Sequence, residues 1–335
     1  MRRVRFLVIG DPEGRVRYPR VRELCERYLR KGDFLIFTGD WFSNPLTEYY
    51  AFKRGEVFPE KKTLRDLNEK YKIILIYGNK DLQSRFFGLD GKRSRERNIF
   101  CVEDFYGEKK IRGLDFCWLN GSNVVEGGFC KRSGEAMKEA EKILRRYEKR
   151  LKRSGHRRKI RLKDLPEEEL KPLREKYGWV FRVVEEYPYA TDYSWLKGRK
   201  TDARILLSHS PPLLEGAEIV AGNFPDVAVF REEGTGIRPC FPDEKGAKKK
   251  HVGLKPVREF VKENEFRLVI CGHIHEGSGI ALYENTLVVN PGSKRAYINE
   301  GKVLPFSLIE TDRELSVFKY LIYSWDGKFE GEIEI

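Results

Sequence analysis

The sequence predicts a layered α/β sandwich, and three observations carry that expectation. Apolar runs of strand length recur along the chain and stop at polar clusters. The stretches between them place apolar residues at helical spacing, and the C-terminal third turns to hairpin-rich β-structure. With 335 residues the chain can hold one large or two modest domains and bury a substantial core.

Taken in order, the first run is "VRFLVIGD", ending at Asp11, and Val21, Leu24, Cys25, Tyr28 and Leu29 then recur at helical spacing. "DFLIFTGD" ends at Asp40, and "IILIYGNKDL" stops abruptly at Gly78, Asn79, Lys80 and Asp81. "ARILLSHS" ends at His209; Leu254, Val257, Phe260 and Val261 form a second helical stripe, followed by "FRLVICGHIH" with His273 and His275. Continuous apolar strands belong to sheets covered on both faces. Ligands of such sheets bind in the crevice at the carboxyl ends of the strands, so the polar clusters are expected to converge. "GSGIALYENTLVVNPGS" and the last thirty residues carry turn signals at Glu284 and Asn285 and at Asp326 and Gly327, which predict a second sheet packed on the first.

The longest apolar runs fall well short of the roughly 18 residues of a membrane helix, and the N-terminus has no signal-peptide pattern. The chain reads as cytoplasmic, with no membrane partner. Cys25, Cys101, Cys117, Cys130, Cys240 and Cys271 include no CxxC pair, and several lie in apolar runs, so reduced core thiols are expected.

Net charge is +13, and much of it is local: from Lys131 to Lys200 there are 22 Lys and Arg against 12 Asp and Glu. Within this segment Met137, Ala140, Leu144, Tyr147 and Leu151 form a narrow helical stripe that Ser133 could cap. The segment reads as a basic helical insertion docked by one face. Its outer surface is either a solvated charged face or a site for a polyanion such as nucleic acid.

The chain has five histidines, and three of them, His209, His273 and His275, stand at two strand ends. Imidazole mixed with carboxylate suits Mn, Fe or Zn. With Asp11, Asp40 and Asn79 supplying oxygens, the donors are too many for one ion and suit two ions sharing a bridging carboxylate. Asn44, Asn123, His156 and His251 read as turn or solvated positions.

The blocks "GDPEG", "GDWFSN", "GNKD", "SHSPP" and "GHIH", in this order, resemble the calcineurin-like metallophosphoesterases, from Val4 to about Ser293. "TLVVNPGS" and "HVGLKPVREFVKE" resemble the small prokaryotic and archaeal branch of that family. The resemblance implies a four-layer αββα sandwich of two mixed β-sheets, with a metallophosphoesterase domain of residues 1–130 and 201–335 interrupted by the cap-like insertion 131–200. It implies that Asp11 and His275 bind a first ion, that Asp40 bridges, and that Asn79, His209 and His273 complete a second site. The implied reaction is hydrolysis of a phosphoester by a metal-bound hydroxide. Mn is the ion expected first, with Mg, Fe or Zn as alternatives, and a phosphodiester or nucleotide is the expected substrate.

Two positions depart from the family's pattern. Glu13 stands where D-x-H would place an imidazole, and as a carboxylate it is a candidate ligand for hard ions. Lys80 stands where GN-H-D would place the histidine that assists the leaving group; Lys80, with Asp81 beside it, is the candidate catalytic pair. Lys80 either holds a substrate phosphate as a fixed charge or acts as an acid. These departures keep a second reading open, a catalytically silent member that binds nucleic acid or a protein partner.

Overall fold

A computed structural model describes residues 3–11, 18–40, 59–78, 98–101, 105–122, 129–153, 165–177, 181, 193–233, 236–239, 245–292, 306–323 and 329–335. Two seven-stranded mixed sheets dominate it. The first runs in the order β17 (Phe329–Glu334), β16 (Phe318–Tyr323), β15 (Phe306–Thr311), β1 (Val4–Ile9), β2 (Phe34–Phe37), β3 (Lys72–Leu75) and β4 (Ile99–Cys101). Strands β1 to β4 are parallel neighbours, and β15 to β17 continue the sheet antiparallel. The second runs in the order β5 (Tyr106–Ile111), β6 (Leu114–Leu119), β7 (Ile205–Ser208), β12 (Leu268–Ile270), β14 (Thr286–Asn290), β13 (Gly279–Tyr283) and β8 (Glu218–Gly222). Its centre, β6, β7, β12 and β14, is parallel. A small antiparallel sheet of β10 (Gly236–Pro239), β9 (Val227–Glu233) and β11 (Lys248–His251) lies between β8 and β12 in the chain.

The two-residue period of a strand sorts the apolar residues into layers. On β1, Phe6 and Val8 enter the core between the sheets, where they meet Phe34, Ile36, Ile74, Ile205, Leu207, Leu268 and Ile270. Leu7 and Ile9 face the opposite way, with Leu35, Phe37, Ile73 and Leu75, against helix α1 (Tyr18–Tyr28) and helix α2 (Pro59–Asn68). On the outer face of the second sheet Leu206, Val269 and Val288 pack with Val257, Phe260 and Val261. This accounts for runs that are apolar at every position. Each fully buried side chain of this size contributes on the order of 1.5–3 kcal/mol relative to leaving it in water.

Both expected helical stripes form. Val21, Leu24, Cys25 and Tyr28 are buried on α1 and Leu29 just beyond it. Val257, Phe260 and Val261 are buried on the helix Lys255–Lys262, whereas Leu254 is its extended N-cap residue. The expected hairpin forms at Glu284 and Asn285, between β13 and β14, with Glu284 at φ 54°. The C-terminal strands do not all join the second sheet: β15 to β17 extend the first, because β15 pairs antiparallel with β1 along its whole length.

In the basic segment, helix α3 (Phe129–Arg153) packs against helix α4 (Glu167–Tyr177), on which Leu170, Leu173 and Tyr177 are buried. Ala140 is buried and Leu144, Tyr147 and Leu151 are half-buried, while the side chain of Met137 lies outside the described residues. Ser133 is not the N-cap: the helix begins at Phe129 and Ser133 lies inside it. The low propensity of Ser133 and Gly134, about 1 kcal/mol for glycine against alanine, is small beside the rest of a 25-residue helix. Cys25, Cys117 and Cys271 are free and buried, and burial pushes the Cys25 thiol up to about 12, so these thiols stay protonated and inert. Among the described residues no helix is long and apolar enough to cross a membrane.

Candidate metal centre

Five polar side chains predicted from strand ends are described, and the structure brings them together across the two sheets. Asp11 follows β1 and Asp40 follows β2 in the first sheet; His209 follows β7, and His273 and His275 follow β12, in the second. Asp40, His209 and His273 each offer a ligand atom within 4.8 Å of the others. His209 Nε2 lies 3.5 Å from Asp40 Oδ1 and 3.2 Å from His273 Nδ1. Asp11 Oδ2 lies 3.4 Å from His275 Nε2 and accepts the His273 backbone N–H at 2.7 Å. Asp11, Asp40 and His209 are all but fully buried.

The donors around this cluster set its chemistry. His209 Nδ1 is 2.7 Å from the Thr38 carbonyl oxygen, which only accepts, so Nδ1 carries a proton and Nε2 is the nitrogen turned toward Asp40 and His273. A carbonyl that fixes the tautomer of an imidazole is the usual outer partner of a metal-binding histidine. Thr38 also donates its hydroxyl to Asp11 Oδ1 at 3.1 Å, so one residue orients a carboxylate and an imidazole. Buried carboxylates beside imidazole nitrogens require positive charge, from a proton or a cation, and this donor set fits a divalent ion.

Backbone strain falls at the same place. Asp40 and His273 hold φ values of 50° and 67°, the left-handed region that non-glycine residues occupy at a cost of about 1–3 kcal/mol. Close approach of the strand ends depends on glycine. A Cβ on Gly78 would stand 2.1 Å from Asp40 Oδ1, and one on Gly272 would stand 2.4 Å from Asp11 Oδ1.

Glu13, Asn79, Lys80 and Asp81 lie outside the described residues, as do Asn44, Asn123 and His156. Three contributors escaped the sequence reading. Thr38 is one, between an apolar run and Gly39. Asn120 accepts the Tyr77 N–H at 3.0 Å and so holds the end of the β3 run. Asn290, buried at the end of β14, donates to the carbonyls of Pro225 at 2.8 Å and Ile274 at 3.0 Å and fixes the loop of His273 and His275. Each is a lone polar residue ending an apolar run, the signal that marked Asp11 and Asp40 but without a side chain that draws notice as a ligand.

A two-sheet sandwich thus brings carboxylates and imidazoles together across its strand ends, a donor set suited to divalent metal. Residues 4–277 match the family of calcineurin-like phosphoesterases, and the chain belongs to that family. It is 43% identical over 54 residues, 16% of this chain, to the uncharacterized protein MJ1162 of Methanocaldococcus jannaschii, of which the match spans only 25%. Among solved structures it is similar to the phosphopantetheinyl hydrolase of Mycobacterium tuberculosis, with a TM-score of 0.40, 13% identity, and 90% of this chain and 94% of that one covered. It is also similar to a 5'-nucleotidase precursor of Thermus thermophilus, with a TM-score of 0.35, 10% identity, and 99% and 54% covered.

Proposed function

We propose that this chain is a metal-dependent phosphoesterase. Asp40, His209 and His273 would hold one divalent ion, Asp11 and His275 a second, and Asp40 would lie between the two. The observation that carries the reading is the meeting of Asp40, His209 and His273, with His209 Nε2 turned into it. Glu13 and Asn79 are further ligands in this proposal, and Lys80 and Asp81 the residues assigned to the substrate. Bound divalent ions supply Lewis-acid charge against phosphoryl oxygens and lower the pKa of water. Mixed carboxylate and imidazole donors suit Mn first, and also Mg, Fe or Zn. Thr38 keeps Asp11 and His209 in register for those ions, and burial of both keeps bulk water from competing for them. The buried reduced thiols support a cytoplasmic setting.

The test is elemental analysis of the purified protein with hydrolysis of bis-p-nitrophenyl phosphate. The expected result is about two ions per chain and cleavage that Mn supports and a chelator abolishes. Protein that takes up no metal and cleaves nothing would leave the second reading, a catalytically silent member that binds nucleic acid or a protein partner.

A phosphodiester or nucleotide is the substrate class favoured by the basic segment. On α3, Lys142, Arg145, Arg146, Lys149 and Arg153 are exposed, while Arg150 pairs with Glu169 at 3.1 Å. Binding of single-stranded nucleic acid is expected to weaken steeply with salt. Replacing Arg145, Arg146 and Lys149 by Gln should flatten the slope of log K against log salt by about 0.7 for each phosphate that the protein no longer neutralises. An unchanged slope, or no binding at about 50 mM salt, would return α3 to a solvated face.

A further inference from the structure

Outside the metal cluster the fold holds a second pair of ionisable groups, Asp226 and His251. Asp226 is fully buried, and both its oxygens are used: Oδ2 accepts the Leu214 N–H at 2.9 Å, and Oδ1 lies 2.9 Å from His251 Nδ1. Burial raises the Asp226 carboxyl above its ordinary range, and the hydrogen bonds from Leu214 and His251 oppose that shift. The His251 side chain is about a quarter exposed and rests edge-on against Phe224. Since Nδ1 faces the carboxylate, Nε2 is the nitrogen turned away from it, and among the described residues it makes no hydrogen bond.

The pair lies on the seam between the two loops that carry the second sheet's histidines. The segment after His251 is stitched to the segment after His209: Leu254 N–H donates to the Pro211 carbonyl at 2.9 Å, and a Cβ on Gly253 would stand 2.2 Å from the Pro212 carbonyl. Val252 N–H donates to the Asp226 carbonyl at 2.9 Å. On the other side, the Pro225 carbonyl is held by Asn290, which also holds the Ile274 carbonyl between His273 and His275.

A buried carboxylate on Nδ1 with Nε2 left without a hydrogen bond is the arrangement that orients an imidazole for proton transfer. The block that would supply an imidazole to the leaving group carries Lys80 instead, and a lysine ammonium does not exchange its proton readily near neutral pH whereas an imidazole does. We propose that His251, oriented by Asp226, donates the proton to the leaving-group oxygen of the phosphoester, taking the part left open by Lys80. The proposal rests on the phosphoesterase reading. In the step, water forms a new P–O bond and gives up a proton, and the bond from phosphorus to the leaving oxygen breaks. That oxygen keeps the electron pair and takes the proton from His251 Nε2. The proton from water passes to solvent and the neutral ring recovers one from solvent, so diester and water yield an alcohol and a phosphate monoester with no change of oxidation state. His251 is the catalytic residue in this scheme, and Asp226 is a positioning residue.

The test compares two substrates in the metal-loaded protein: bis-p-nitrophenyl phosphate, whose leaving group needs no proton, and a dinucleoside phosphate, whose alkoxide does. His251→Asn keeps an N–H toward Asp226 but cannot donate as an acid. It should lower kcat on the dinucleoside phosphate by about 10²–10⁴-fold and leave kcat on the nitrophenyl ester close to wild type. Asp226→Asn should show the same selectivity, because an amide N–H facing Nδ1 favours the other tautomer. Independently of turnover, inorganic phosphate added to the magnesium-loaded protein should shift the side-chain nitrogen resonance that His251→Asn removes. Equal losses on both substrates, no loss on either, or a resonance that phosphate does not move would each overturn the proposal. Wild-type protein that cleaves neither substrate would overturn the phosphoesterase reading and this proposal with it.

Discussion

Replacing Asp40 by alanine should abolish metal uptake at the cluster and all hydrolysis, the largest single effect expected of any described side chain. Asp40 Oδ1 faces His209 Nε2 at 3.5 Å, and its donor atom lies within 4.8 Å of those of His209 and His273. Its removal leaves two imidazoles, which can share a proton, in place of a mixed site that demands a cation. The loss should exceed that of Thr38→Val, which deletes only the hydroxyl on Asp11 and should cost about 10–100-fold in metal affinity, as outer partners do. Strain adds a second readout. Because Asp40 sits at φ 50°, Asp40→Gly should be more stable than Asp40→Ala by roughly 1 kcal/mol while losing the metal equally. Elemental analysis and thermal melts of the three variants decide it; metal content and activity unchanged in Asp40→Ala would remove this cluster from the function.

The layers and the strand-end cluster were legible in the sequence because both are written in local pattern. A strand buried on two faces must be apolar at every position, so Phe6, Leu7, Val8 and Ile9 announce a covered strand even though they divide between two cores. Three of the five histidines stand at strand ends, and the structure puts all three at the carboxylates. Pairings distant in sequence were not legible. Nothing near Phe306 says that β15 will lie against β1 and not against β14, because antiparallel pairing to either sheet would satisfy the same alternation. The Asp226 and His251 pair was hidden for a similar reason: the residues are 25 positions apart, and His251 alone looks like a turn or solvated residue. Thr38 and Asn290 act through a carbonyl, a hydroxyl and an amide, groups whose use depends on what folds against them.

Gly78→Ala tests whether the strand ends meet as closely as described. The methyl group would stand 2.1 Å from Asp40 Oδ1, 2.5 Å from the Asp40 backbone nitrogen and 2.7 Å from His209 Cε1. The carboxylate oxygen could turn away, but that would take it from His209; the backbone nitrogen cannot move without shifting a residue already held at a positive φ. Overpacking of this kind typically costs about 1–3 kcal/mol, and occasionally more. Here the same displacement separates Asp40 from His209, so lower stability and lower metal content should appear together. Gly331→Ala is the control: it lies in β17, a Cβ there meets nothing within 4 Å, and the change should stay within about 0.5 kcal/mol of wild type. Wild-type melting and full metal loading in Gly78→Ala would mean that the ends of β2, β3 and β7 stand further apart than this geometry places them, and that the cluster of Asp40, His209 and His273 does not close around one ion.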